Sequence, residues 1–314
     1  MRHPLALVLL GLVAASAPLA AQRRIFGGPG GGPPDPGATV DIAPLGDEFD
    51  DPASLAGWRW HHEAEGWPSH LRRAQVDTTG AGHLYLEPAT SAWYADWYGP
   101  YLFKEVAGNF DVTVRLHATG LAGGLPERTW SLAGLMVREP RQAAGPAQWT
   151  PFRENWLFLT TGIGDATGRP VFETKSTVNS RSNLKLRPAC AGWVELRIVR
   201  VREAFVLLSR CPGEAWTVRD RMLRRDLPQR VQVGVVAYTD WESILARFGR
   251  DPLAFDTTGM RDGAPDLGVR VDYVRFRRPP AAVDGPADLL TDYAMGDDEV
   301  LRRLGVGKEA GAGD

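Results

Sequence analysis

The feature that most constrains this chain is an alternation of apolar and polar residues with a period of two. It is clearest in residues 110–117, 194–198 and 269–276. This period is typical of a β-strand that buries one face and leaves the other wet. More continuously apolar runs, such as residues 132–137 and 231–238, predict central strands that are covered on both faces.

The alternating runs are separated by glycine, proline, asparagine and aspartate, and no long stretch between them shows helical periodicity. Many short strands without intervening helices predict an all-β fold, an antiparallel sandwich or barrel, rather than an α/β fold. The 314 residues carry a net charge of -2 and have a pI near 6.3. This balance argues against a nucleic-acid partner, because such proteins usually present a basic face.

The chain begins with a pattern typical of an export signal. Arg2 is followed by an apolar stretch and by small residues up to Ala21, which predicts a signal peptide over residues 1–21. An uncleaved anchor is the alternative, but the stretch is shorter than the ~20 residues that span a bilayer. Residues 22–44 are rich in glycine and proline and predict a flexible tether. We therefore expect a periplasmic or secreted protein with no membrane span after cleavage.

The predicted sandwich covers residues 45–278, and residues 279–314 form a tail of different character. Residues 286–295 and 297–304 have the pattern of two short helices, stopped by Gly296 and Gly305. Helices this short are marginal alone, which favours their packing back on the sandwich. The alternative is a docking peptide for a protein partner.

The two cysteines, Cys190 and Cys211, flank a predicted hairpin. Residues 192–200 and 204–209 both alternate, and residues 201–203 between them have the pattern of a tight turn. The cysteines then lie near the open end of the hairpin, where a disulfide can form in an oxidising compartment. Two separate buried thiols are the alternative, whereas two cysteines alone fall short of the four ligands that zinc takes.

Several strand motifs resemble a known superfamily. Residues 47–50, followed by Gly57 and Trp58, resemble the opening strand of the concanavalin A-like lectin and glucanase superfamily. Residues 133–138 and 192–198 resemble strands of one branch, the bacterial domains of unknown function related to regulation-of-enolase proteins. The resemblance covers residues 45–278. It implies a curved jelly roll of two antiparallel sheets, among whose relatives are sugar-binding modules and glycoside hydrolases.

The sequence lacks the usual signatures of hydrolases. Glycoside hydrolysis needs two carboxylates, which hydrolases of this superfamily place on one short strand of the form Glu-x-Asp-x-x-Glu or Glu-x-Asp-x-Glu. Glu173 lies in a predicted strand without a second acid at that spacing, and Asp240 and Glu242 have the character of loop residues. His61 and His62 are adjacent in a predicted strand, so they would point to opposite faces and are expected at the surface. We therefore expect a protein without catalytic activity.

An aromatic segment is the strongest candidate for a binding site. Sugar-binding surfaces use flat rings against the apolar faces of sugars, with acids or amides holding the hydroxyls. If residues 93–98 form a strand, Trp93 and Trp97 share one face, and one of the two faces belongs to the core. The glycan-binding candidates are Trp93, Tyr94, Asp96, Trp97, Tyr98 and Trp241.

A structural calcium ion is the second candidate. Asp47 and Asp50 lie in the predicted first strand and Asp272 in the last, and these strands adjoin in many sandwiches of this class. Calcium takes carboxylate and carbonyl oxygens, so such a site would pin the two ends of the domain together. Ordinary acidic turn residues are the alternative.

Taken together, the sequence predicts an exported, non-catalytic β-sandwich that is carbohydrate-binding or envelope-associated. Its partner is then a glycan or an envelope protein. One alternative is a structural or accessory subunit of an envelope complex, and another is a divergent glycoside hydrolase. Nothing in the sequence identifies the ligand.

Overall fold

The computed structural model describes residues 40–78, 80–141, 145–280 and 288–306. The predicted signal peptide lies outside these residues, as do nearly all of the tether and parts of the tail. The strands are β1 (Arg59–Trp60), β2 (Leu71–Val76), β3 (Leu84–Pro88), β4 (Tyr101–Ala107), β5 (Phe110–Thr119), β6 (Ser131–Arg138), β7 (Trp156–Ile163), β8 (Pro170–Val178), β9 (Arg181–Pro188), β10 (Val194–Val201), β11 (Ala204–Arg210), β12 (Thr217–Leu223), β13 (Arg230–Tyr238) and β14 (Gly268–Arg277). The helices are α1 (His61–Glu65), α2 (Trp241–Phe248), α3 (Pro252–Thr258), α4 (Asp288–Thr291) and α5 (Asp297–Arg303).

The strands form two seven-stranded antiparallel sheets. Sheet I has the order β1-β4-β13-β6-β7-β8-β9, and sheet II has the order β12-β11-β10-β5-β14-β3-β2. The two sheets enclose one apolar core, so the predicted antiparallel β-sandwich is confirmed. No helix among the described residues is long and apolar enough to cross a membrane.

The alternation seen in the sequence determines which side chains enter the core. In β5, Val112, Val114 and Leu116 are fully buried between the sheets, while the residues between them are only partly covered. In β6, every residue is buried, as the continuous apolar run predicts. Leu135 faces sheet II, but Met136 belongs to a second cluster on the outer face of sheet I. Sheet I is therefore covered on both sides.

Three helices were not predicted: α1, α2 and α3. α2 and α3 follow β13 and pack over the end of sheet I, with Ile244 and Phe255 fully buried. α2 has eight residues and α3 has seven, so neither is long enough to show a clear helical period. One local signal was present: Asp251 precedes Pro252, and its carboxylate accepts a hydrogen bond from the amide of Ala254 at 3.0 Å.

The tail packs on the outer face of sheet II. Leu290 of α4 and Val300 of α5 are buried in a cluster with strand residues such as Val206, and Leu304 just after α5 joins them. The second helix covers nearly the predicted residues, whereas the first is shorter than predicted within the described part of the chain. Packing on the sandwich is therefore the arrangement observed.

The predicted disulfide is confirmed. β10 and β11 form the expected hairpin, with Val201 paired to Ala204 at the turn and Glu195 paired to Arg210 near the open end. Cys190 and Cys211 are bonded there, with their Cα atoms 6.1 Å apart.

Replacing both cysteines by alanine is expected to lower the free energy of unfolding by about 3 kcal/mol, because the bond closes a loop of roughly 20 residues in the unfolded chain. Urea unfolding of the variant measures this loss, and the reduced wild-type protein is its control. A midpoint equal to that of the oxidised wild type would contradict the prediction.

Candidate functional site

The outer face of sheet I carries an ion pair that strand alternation positions. In β8, Phe172 points into the core, so Glu173 and Lys175 point outward. The Lys175 Nζ lies 3.0 Å from the Glu173 carboxylate in an ion pair and donates a hydrogen bond, also 3.0 Å, to the carbonyl oxygen of Trp93. Tyr238 and Thr160 also donate to Glu173. Neither charged side chain is more than 2% exposed, so the charge of each depends on the other for compensation.

This ion pair lies among aromatic rings. Burial lowers the pKa of Lys175, although Glu173 opposes that shift. Burial and the neighbouring Glu173 carboxylate raise the pKa of Tyr238 well above its usual value. The Lys175 Nζ is 4.9 Å from the ring centroid of Phe158 and 5.3 Å from that of Tyr238, within the range of cation–π attraction. Of these groups, Lys175 and Tyr238 line a pocket, and Glu173 and Phe158 lie beneath its lining.

The pocket, called here the aromatic pocket, is a cavity of about 120 Å³. Tyr94 at its edge is 41% exposed, and Trp130 and Trp241 are partly exposed. The rings of Tyr94 and Trp241 are 6.1 Å apart, with their planes tilted by 55°. The pocket is lined by Ala92, Trp93, Tyr94, Trp130, Lys175, Leu184, Tyr238 and Trp241.

Only part of the predicted aromatic segment reaches this pocket, because the segment is not a strand. Tyr94 and Trp97 close a tight turn, in which the amide of Trp97 donates to the carbonyl oxygen of Tyr94 at 2.9 Å. Ala95 inside the turn has a positive φ of 51°. The prediction that Trp93 and Trp97 share one face of a strand is therefore wrong, since the two rings lie in separate clusters.

The six glycan-binding candidates divide into two sets. Trp93, Tyr94 and Trp241 line the aromatic pocket, whereas Asp96, Trp97 and Tyr98 do not. Trp93 and Tyr98 are at most 1% exposed and Trp97 is 7% exposed, so they act mainly as packing residues. Burial raises the pKa of Asp96, which accepts hydrogen bonds from Ser180 and from the amide of Phe152. Trp130 and Lys175 complete the pocket and were not among the candidates.

A second polar cluster lies under the loops that cover sheet I, and it was not among the predicted sites. Arg138 of β6 is fully buried between Glu65 of α1 and Glu154, which precedes β7. Its Nε and Nη2 donate to Glu154 at 2.9 and 3.0 Å, and Nη2 also donates to Glu65 at 3.1 Å. Gln232 accepts from Arg138 at 3.1 Å, His61 Nε2 lies 3.0 Å from Glu65, and Arg141 donates a further hydrogen bond to Glu154 at 2.6 Å.

The electrostatics of this cluster favour charged carboxylates. Burial alone would raise the pKa of Glu65, but Arg138 and His61 outweigh it and hold the pKa below its usual value. At Glu154, burial likewise raises the pKa and Arg138 lowers it, and the net effect is again a lowered pKa. Both carboxylates are thus bound to a guanidinium and are poor proton donors. The expectation that His61 is a surface residue is wrong, because it lies in a helical turn and is 1% exposed.

The two carboxylates beside Trp241 also accept hydrogen bonds from other residues of the protein. Asp240 is fully buried and accepts hydrogen bonds from Thr90 at 2.6 Å, from Ser243 at 2.8 Å and from the amide of Ala264 at 2.6 Å. Glu242 is half-exposed and accepts from Thr129 at 2.5 Å. Asp240 thus anchors the start of α2, and the two acids do not converge on the pocket lining.

The three aspartates predicted to bind calcium have different surroundings. Asp47 is bridged to Val274 of β14, so the first and last segments do adjoin, and its carboxylate accepts from Trp58 Nε1 at 2.8 Å. Asp272 pairs with Arg115 at 2.6 Å, and Asp50 is exposed. No group of three or more histidine, cysteine, aspartate or glutamate side chains is arranged to hold a metal in the described ranges. Structural calcium stays a prediction.

Comparison with solved structures finds proteins of low similarity. One is a functionally unknown protein from Saccharomyces cerevisiae, with a TM-score of 0.47 and 17% identity over 72% of this chain and 99% of its own. A xylan β-1,4-xylosidase from Bacillus halodurans has a TM-score of 0.45 and 15% identity over 74% of this chain, which spans 39% of the xylosidase. A β-1,3-1,4-glucanase (lichenase) from a mouse hindgut metagenome has a TM-score of 0.42 and 14% identity, covering 74% and 98% of the two chains.

Similarities of this strength say nothing about activity. No protein-family model matches the sequence, and no curated protein matches it significantly. The function must therefore be argued from the pocket and the charged groups around it.

Proposed function

We propose that this protein is a non-catalytic carbohydrate-binding β-sandwich that holds a sugar ring in the aromatic pocket. The observation that carries the proposal is the arrangement of Tyr94, Trp130 and Trp241, which present partly exposed rings around one small cavity. Pockets that bind small molecules are typically lined by aromatic side chains with a few polar groups that fix orientation. Here the polar group is Lys175.

The lysine suits a hydroxyl-bearing ligand. An ammonium group has three N–H donors, and Lys175 faces Glu173 in an ion pair and donates a hydrogen bond to the Trp93 carbonyl oxygen. The third donor has no hydrogen-bond partner among the residues that the structure describes, so a sugar hydroxyl can accept from it. The small cavity favours one ring over an extended chain, which suggests recognition of a chain end or a single branch.

The same groups favour binding over hydrolysis. A glycosidase needs one carboxyl group to donate a proton and a second to act as base or nucleophile. Residues lining the aromatic pocket include no carboxylate, and the nearby Glu173 is ion-paired with Lys175 and hydrogen-bonded to Tyr238. A divergent glycoside hydrolase remains the alternative, and it requires a second carboxylate to reach the pocket.

Other parts of the sequence-based interpretation stay predictions. These are the signal peptide, the periplasmic or secreted location and the relation to the regulation-of-enolase branch. The disulfide fits an oxidising compartment. A role as an accessory subunit of an envelope complex would need a partner surface, and Val300 and Leu304 are buried on sheet II rather than free to dock.

Replacing Trp241 by alanine is expected to weaken binding about tenfold, since the variant loses one ring of the pocket and the stacking contribution of that ring. Tyr94→Ala is expected to have a similar effect. Affinity electrophoresis in gels that contain neutral or acidic polysaccharides measures the retention. Tyr293→Ala is the matched control, because Tyr293 is 70% exposed and lies in the tail on the other sheet. Equal retention of all three variants would contradict the proposed site.

A further inference from the structure

A second cavity lies beside the end of α3, away from the aromatic pocket. It encloses about 400 Å³, and its lining includes His70, Arg72 and Arg261. Gly259, which ends α3 with a positive φ of 68°, lies next to the histidine: a Cβ placed there would be 4.0 Å from His70 Cε1. The glycine therefore leaves open space at the edge of the imidazole ring.

His70 is a buried polar group without a hydrogen bond. It is 4% exposed, and its ring stacks on Phe255 with the centroids 4.7 Å apart. Neither ring nitrogen has a hydrogen-bond partner among the described residues. The nearest carboxylate oxygen, Oδ1 of Asp256, is 3.9 Å from His70 Nε2, which is too far for a hydrogen bond. Buried polar groups in proteins are almost always paired, so an unpaired imidazole that lines a cavity points to a ligand.

Asp256 of α3 is a second buried group near His70, and only one of its two carboxylate oxygens has a hydrogen-bond partner. It is fully buried, and its Oδ1 accepts from the amide of Tyr98 at 3.1 Å, while Oδ2 has no partner among the described residues. Burial lowers the pKa of His70 to about 4 and raises the pKa of Asp256. At neutral pH the imidazole is therefore uncharged and offers one donor and one acceptor.

The charges at the mouth of the cavity are mainly positive. Arg261 is exposed and has no ion pair among the described residues. Arg72 lies 3.9 Å from Glu87, but Glu87 also accepts a hydrogen bond from Arg73 at 2.9 Å. Two guanidinium groups thus share the Glu87 carboxylate, and Arg261 has no carboxylate partner among the described residues, which leaves an excess of positive charge for a ligand. Guanidinium groups match carboxylates in geometry and charge.

We propose that this cavity is a second binding site, which takes a small carboxylate-bearing ligand. Arg261 and Arg72 hold the carboxylate at the mouth, and His70 forms a hydrogen bond to the part of the ligand that enters the cavity. The site is independent of the sugar pocket proposed above. An acidic sugar and a simple organic acid share the chemistry that these residues recognise.

The test follows the imidazole nitrogens of the full-length chain by NMR after 15N labelling of its six histidines. His70→Phe identifies the His70 signals, because phenylalanine keeps the ring and its stacking on Phe255. Titrations with glucuronate, acetate and glucose separate an acidic sugar, a simple carboxylate and a neutral sugar. A saturable shift of the His70 signals with glucuronate or acetate, but not with glucose, is the expected result. No shift with either carboxylate, or an equal shift with glucose, would overturn the proposal.

Surface variants complete the test without altering buried residues. Arg261→Gln is expected to weaken carboxylate binding about tenfold, because it removes a charge-assisted hydrogen bond. Arg247→Gln is the matched control, since Arg247 is 45% exposed and pairs with Asp262 outside the cavity lining. Unchanged binding by Arg261→Gln would also overturn the proposal. Trp241→Ala should leave carboxylate binding intact, so failure of the sugar pocket and failure of this site are distinguishable.

Discussion

Replacing Arg138 by methionine is expected to lower the free energy of unfolding by about 5 kcal/mol at neutral pH. Methionine fills similar space but leaves the carboxylates of Glu65 and Glu154 buried without their shared cation, and removal of one member of a buried ion pair costs about 3–5 kcal/mol. Urea unfolding measures the loss. Arg230→Met on the same sheet is the matched control, because Arg230 is 64% exposed and lies 3.9 Å from Glu105. We expect that control to cost at most about 1 kcal/mol.

The pH dependence of this loss has a definite sign. In the wild type, Arg138 keeps the pKa of both carboxyl groups lowered in the folded state. Their contribution to stability is therefore present above the pKa of an unfolded glutamate, about 4.3, and is lost as the pH falls through the lower folded values. In the methionine variant, only Arg141 opposes the effect of burial at Glu154 and only His61 opposes it at Glu65, so both pKa values rise.

The variant's deficit should therefore shrink as the pH falls through the acidic range, because protonated carboxyl groups no longer need a cation. Unfolding curves collected between about pH 4 and pH 8 test this. A deficit that is constant with pH, or as small as that of Arg230→Met, would contradict the assigned charges.

Replacing Glu173 by glutamine is expected to cost about 3–5 kcal/mol, because it leaves the ammonium group of Lys175 buried without a counter-charge. The companion variants are Lys175→Met and the double variant. In the double variant both charges are absent, so its loss should be clearly smaller than the sum of the two single losses. Additive losses would show that the two side chains do not act as a pair.

The Glu173→Gln deficit should depend on pH in the opposite direction. Burial already lowers the pKa of Lys175, and removal of Glu173 takes away the group that opposes this shift. The folded state of the variant then favours the neutral amine of Lys175. The loss of stability is therefore full below the pKa of Lys175 in the folded variant. It shrinks as the pH rises from there toward the pKa of an unfolded lysine, about 10.4. Unfolding at pH 7 and pH 9.5 measures the change. A larger deficit at the higher pH would contradict the pairing.

The sequence predicted the sandwich well because strand alternation is a local signal. Each apolar face in β5 or β10 is specified by neighbouring residues along the chain, and the hairpin of β10 and β11 with its cysteines spans only about 20 residues. The strand predicted for the aromatic segment was wrong for a related reason. Trp93 to Tyr98 has an alternating composition, but a turn that depends on Ala95 with positive φ replaces the strand, and composition does not show that turn.

The candidate site was only partly predictable because its contacts are long-range. Tyr94 and Trp241 could be proposed from their residue type, yet Trp130 and Lys175 enter the pocket through sheet pairing that no local pattern reveals. The contacts of the buried cluster around Arg138 are also long-range, since Glu65 is 73 residues away along the chain. The loops that cover sheet I bring those partners together. The only local sign of the cluster was one charged residue, Arg138, in the apolar strand β6.

The proposed function requires that the aromatic pocket bind sugar without cleaving it. The most direct measurement is one set of incubations with a broad panel of polysaccharides, in which retention on the polysaccharide and release of reducing ends are recorded together for wild type and Trp241→Ala. We expect that at least one polysaccharide retains the wild type, that Trp241→Ala is retained less, and that neither protein releases reducing ends. No retention on any polysaccharide, or release of reducing ends by the wild type, would contradict it.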